Sequence, residues 1–143
     1  MRTLGLTVLA AIIAAMVALV ANRVAVGDGR RTAVAVLVPL LEETAKTGSA
    51  LFLTAPILAT HALFGAIELV YDVAKPSKAG LFAGLVGLAG HLGFGTAAAL
   101  VWRRTGSGPA AVLAATMVHV LFNSVVIGRL PELSGPSRRR KAP

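Results

Sequence analysis

The chain has 143 residues, 56% of them hydrophobic and 14% charged, with a mean hydropathy of +0.79. That is the composition of an integral membrane protein and not of a soluble domain built around one core. The absence of cysteine excludes disulfides and thiol catalysis. The formal charge of +8 comes mainly from Lys and Arg flanking the apolar runs, a pattern of membrane orientation and attraction to anionic lipid that makes nucleic acid a poor candidate partner.

Runs of about 20 apolar residues predict an all-α fold, a polytopic membrane helix bundle of about five transmembrane helices in one domain, 1–128, followed by a basic tail, 129–143. The first helix, 3–21, is uncharged throughout. With Arg2 ahead of it, it has the outline of a signal peptide, but it is long for one and lacks a small-x-small cleavage site before Asn22, so a retained helix is expected. The turn-rich stretch GDGRR, 27–31, leads into the second helix, 32–53. This one contains PLLEETAKTGSAL, 39–51, which places Glu42, Glu43 and Lys46 where a spanning helix ordinarily carries no charge. The third helix, 56–73, opens on Pro56, whose missing N–H is harmless in a first turn. After KPSK, 75–78, the fourth covers 79–102; after RRTGSG, 103–108, the fifth covers 109–128.

Outside these spans, Arg2, Arg103 and Arg104 fall on one side of the membrane. The other side receives Arg23, Arg30, Arg31, Lys75, Lys78, Arg129, Arg138, Arg139, Arg140 and Lys141. The positive-inside rule makes the richer side cytoplasmic. The expected location is therefore the cell's inner or plasma membrane, multi-pass, with the N-terminus outside and the basic tail near anionic lipid in the cytoplasm.

The polar residues fall at one depth. At about 1.5 Å per residue, Glu42 and Glu43, Glu68, His91 and His119 each lie near the middle of their own helix. An ionisable residue at a helix centre costs about 2.5–3.5 kcal/mol on insertion scales and normally faces the bundle interior. Groups from four helices at a shared depth are therefore expected to line one polar cavity. Glu42 and Lys46 are spaced i, i+4 and Glu43 and Lys46 i, i+3, so Lys46 can serve either glutamate as a counter-ion. The glutamates diverge by about 100°, so only one points squarely inward. Glu68 and Asp72, with His61 and Phe64, share one face of the third helix, and His119 and Asn123 can reach a common point from the fifth. By depth, His61 is expected near the outer surface in a structural or interfacial role. The plainer reading of all these groups is a buried ion cluster and interhelical hydrogen bonds that only fix packing.

Taken in order, Glu42-Glu43-x-x-Lys46, Phe64-Gly65-Ala66-Ile67-Glu68, Gly90-His91-Leu92-Gly93-Phe94-Gly95 and His119-x-x-x-Asn123 resemble the motifs of PrsW-type intramembrane proteases, relatives of the CAAX prenyl protease and bacteriocin-processing superfamily. The resemblance covers residues 39 to about 126. It implies an intramembrane endopeptidase acting on membrane-associated protein or peptide substrates. Glu43 or Glu42 would activate the attacking water, Glu68, His91 and His119 would complete the site, and Asn123 would help polarise the scissile carbonyl. Lys46 and Phe64 enter as supporting residues. Two departures stand out: Asn123 occupies a position that is often Asp, and the chain lacks helices that longer members carry.

Cofactors stay open between none and zinc. His91, His119 and Glu68 would suit Zn²⁺ with an open water position, but the histidines lie on separate helices without the local spacing of a zinc motif. The alternative function is non-enzymatic: a small transporter or proton relay, or a degenerate homologue that binds a membrane partner.

Overall fold

Short connections and apolar helices fold this chain into an antiparallel bundle. The computed structural model describes residues 1–27, 33–74 and 80–133. Its helices are α1 (Arg2–Gly27), α2 (Val38–Phe52), α3 (Ile57–Ala74), α4 (Gly80–Thr105) and α5 (Gly108–Leu133), with a π-helical turn, Ala33–Leu37, leading into α2. The described residues contain no strand. Arg30, Arg31, Lys75, Lys78 and the Arg138–Lys141 cluster, which carry much of the orientation argument, lie outside the described residues.

Four helices, α1, α3, α4 and α5, are long and apolar enough to cross a membrane, so the chain is a multi-pass membrane protein. The second predicted span differs. Its α-helical part is only 15 residues, because a wide π turn replaces the first stretch and Pro39 follows at the start of α2. The other helices match their expected spans within a few residues, except that α1 runs on to Gly27 and α5 to Leu133. The first five residues assigned to the tail are thus helical.

α2 packs mainly against α1, α5 and α3 and reaches α4 through the Lys46 side chain. Its buried positions are Val38, Pro39, Glu42, Glu43, Lys46, Thr47 and Ala50, one stripe at helical spacing. Leu37, Leu41 and Phe52 are exposed instead. This is an amphipathic helix turned for lipid, with its polar face inward. α1 meets it through small side chains, Ala10, Ala11, Ala14 and Ala18, which allow close approach between helices in a bilayer.

The turn between α2 and α3 is closed by the chain itself. Thr54 takes a left-handed backbone conformation at φ 54°, and the amides of Thr54 and Ala55 donate to the carbonyls of Leu51 and Ala50. That is a Schellman-type C-cap built on threonine where glycine is usual. At the end of α4 the same job falls to Gly106, at φ 63°, whose amide donates to the Trp102 carbonyl. Two apolar clusters flank the polar residues. Ala50, Ile57, Phe94, Ala98, Ala111 and Ala115 belong to one, at the end where α2 meets α3. Ala14, Ala18 and Phe64 form the other.

Candidate active site

Four helices bring their polar residues to one point. Glu43 of α2 is fully buried, and its Oε1 accepts from Lys46 Nζ at 2.6 Å and from His119 Nδ1 at 2.8 Å. Lys46, also fully buried, reaches His91 Nδ1 at 3.1 Å and stands 3.8 Å from Glu42 Oε2. His91 Nε2 lies 2.6 Å from Glu68 Oε2. The cluster is therefore continuous from α5 through α2 and α4 to α3.

The partners assign the tautomers. An ammonium only donates, so His91 Nδ1 accepts from Lys46 and its Nε2–H donates to the Glu68 carboxylate. A carboxylate only accepts, so His119 carries its proton on Nδ1, facing Glu43. A neutral His119 then keeps a lone pair on Nε2. Lys46 is further enclosed by aromatic faces, with Nζ 4.3 Å from the Phe64 ring centroid and 5.8 Å from that of Phe94. An ammonium stripped of water is stabilised there by the ring quadrupoles as well as by carboxylates. Phe94 also stacks on His119 at 4.3 Å and 13°, which fixes the imidazole plane.

The two glutamates do separate. Glu43 faces the centre of the cluster, while Glu42 turns toward α1, where Asn22 Nδ2 donates to its Oε1 at 3.2 Å. Glu68 is the open edge: its side chain is 39% exposed where those of Glu43 and Lys46 are 0%. Asn123 lies one turn beyond His119 and is partly buried; among the described residues it makes no hydrogen bond to the cluster. Phe64 covers Lys46 and meets the His91 ring edge-on at 4.8 Å.

The expectation for His61 is corrected. It is fully buried, not interfacial, with Nε2 3.2 Å from Thr47 Oγ1 and Nδ1 3.6 Å from Glu43 Oε2. Depth alone misplaced it, because lateral orientation decides burial. Its i, i+3, i+7 register with Phe64 and Glu68, the shared face of α3 already legible in the sequence, outweighs depth. Gly95 makes the room: a Cβ there would lie 2.6 Å from His61 Cβ. Glu43 Oε2 and His61 Nδ1 are buried without hydrogen-bond partners, and they face each other across that 3.6 Å gap. Asn22 and Thr47 also escaped the motif reading, since an uncharged amide and a hydroxyl carry little signal on their own.

The donors offered for zinc are neighbours, with the His91 and His119 ring centroids 6.0 Å apart, but they are bonded to other groups. Both His91 nitrogens are taken by Glu68 and Lys46, and His119 Nδ1 is taken by Glu43. Among the described residues no three His, Asp or Glu side chains are set to hold a metal ion. The cation at the centre is the Lys46 ammonium.

Comparison with protein-family models, with curated proteins and with solved structures returns no match.

Proposed function

We propose that the chain is an intramembrane endopeptidase of the PrsW-like kind, hydrolysing peptide bonds of membrane-associated substrates with a Glu43-activated water. The observation that carries this reading is the Glu43–Lys46–His119 contact, in which a carboxylate and a cation of α2 meet, in a buried place, an imidazole from α5. The order of the four motifs supports it independently. Glu43 Oε2, which has no hydrogen-bond partner, is the acceptor for the proton of the attacking water. The water oxygen bonds to the carbonyl carbon, and Lys46 stabilises the charge that develops on the carbonyl oxygen. The proton held by Glu43 then passes to the leaving amine as the C–N bond breaks. His119 orients Glu43, and Asn123 moves to the carbonyl oxygen when substrate is bound. No step needs a metal, and the membrane is the cell's inner or plasma membrane with the basic tail in the cytoplasm.

The test is cleavage of a membrane-anchored peptide by purified protein, with Glu43→Gln and His119→Ala assayed beside it. Both variants are expected to lose turnover, and unchanged turnover in both overturns the site assignment. Elemental analysis of active protein separates the metal-free route from a zinc-dependent one.

A second reading has its own observation. Glu43, Lys46, His91 and Glu68 are joined by contacts of 2.6, 3.1 and 2.6 Å, and Thr47 and His61 extend the polar line across a 3.6 Å gap to Glu43, a row of intramembrane ionisable groups of the kind that marks proton relays. Proton flux into liposomes that vanishes in Glu68→Gln, with no peptide cleavage in the parent protein, favours the relay.

A further inference from the structure

A cavity of about 960 Å³ lies between α1 and α3. One wall is Ile12, Met16 and Leu19, the other Phe64, Ile67 and Glu68, each set at the i, i+3, i+4, i+7 spacing of one helix face. It continues to Asn22 and Arg23 at the end of α1, so its length along the helix is about 16 Å. Met16 is 65% exposed and Ile67 39%, so the cavity is a groove open sideways, between two helices that are long and apolar enough to span the bilayer.

Two features tie this groove to the buried cluster. Glu68 lines it and is bonded to His91 at 2.6 Å, so the exposed edge of the cluster is part of the groove wall. Phe64 lines it too and covers Lys46 from the inner side, so one ring separates groove from ammonium. A partner with an apolar body fits the walls. A positive charge on that partner fits the Glu68 carboxylate, which accepts from His91 at 2.6 Å and presents its exposed edge to the groove.

We infer that the α1–α3 groove is the docking site for a membrane-embedded peptide segment that carries a basic side chain, which pairs with Glu68. The inference deepens the peptidase reading and rests on it for the word substrate, though docking itself needs no catalysis. The segment comes in from the lipid phase, lies along Met16 and Ile67, and reaches Glu43 when Phe64 turns aside.

The absence of native cysteine makes the test direct. Met16→Cys, Ile67→Cys and, as a control on the exposed face of α5, Leu113→Cys are each placed in full-length Glu43→Gln protein in phosphatidylcholine–phosphatidylglycerol vesicles. The probe is a Leu/Ala membrane-spanning peptide with one central Lys and a thiol-reactive group. Crosslinking at 16 and 67 is expected to exceed that at 113 by about tenfold, and to fall about tenfold when norleucine replaces Lys or when Glu68→Gln is added. Equal labelling at 113, indifference to the peptide's charge, a photoreactive lipid that the peptide does not displace, or a disulfide between two Met16→Cys copies overturns the inference. Crosslinking without cleavage by the parent protein leaves the groove standing and removes the peptidase reading. Cleavage without crosslinking does the reverse.

Discussion

α1 and α2 lie side by side and solve opposite problems. α1 has an 18-residue window of hydropathy 2.7 within Arg2–Val24 and turns alanines inward. α2 has charges that no lipid accepts and turns them inward instead. In a bilayer the apolar face has no preference for the core, since lipid tails serve it equally well. What fixes the orientation of α1 is therefore fit, whereas α2 is fixed by the need to hide Glu42, Glu43 and Lys46. The same bundle thus holds one helix by shape and its neighbour by electrostatics.

Breaking the electrostatic half should have the largest effect. Lys46→Met leaves Glu43 buried without its cation, and a loss of about 3–5 kcal/mol is expected, read as a fall in the midpoint of denaturation in detergent. Glu43→Gln sharpens the contrast between stability and chemistry. It keeps shape and a hydrogen-bond acceptor for Lys46, so the bundle should survive while peptide cleavage falls by about 10²–10⁴-fold; a parallel collapse of helicity by circular dichroism would mean that Glu43 is only a structural ion. On the steric side, Ala14→Leu forces a larger side chain into the cluster with Ala18 and Phe64, with an expected cost of about 1–3 kcal/mol in the same denaturation assay. The smallest effect belongs to the outer face of α2. Leu41→Ala, 48% exposed, should shift stability by no more than about 0.5 kcal/mol, and a larger shift would show that this face is covered by protein.

The depth argument from the sequence located Glu43, Glu68, His91 and His119 because the cost of a charge in lipid leaves little choice of direction. Lys46 was legible for the same reason, as the local counter-ion. His61 was not, since a histidine near a helix end can be solvated or buried, and only Gly95 on the facing helix decides between them. The π turn at Ala33–Leu37 was equally hidden, because its apolar residues suit a π turn and an α-helix alike. Helix ends were legible only to a few residues, as the apolar runs fade gradually into the basic flanks.

The four-residue link 53–56 joining α2 to α3 has a consequence for how the protein is made. α2 is short and carries three charges, so a translocon weighing it alone would leave it in water. Its C-cap on Thr54 and the immediate start of α3 after Pro56 hold the two helices within one turn of each other as the chain emerges. α2 and α3 should therefore partition into the bilayer as a preformed hairpin, and in a nascent chain halted before α3 a Leu41→Cys thiol on α2 should stay open to a membrane-impermeant reagent while α1 holds the chain in the bilayer.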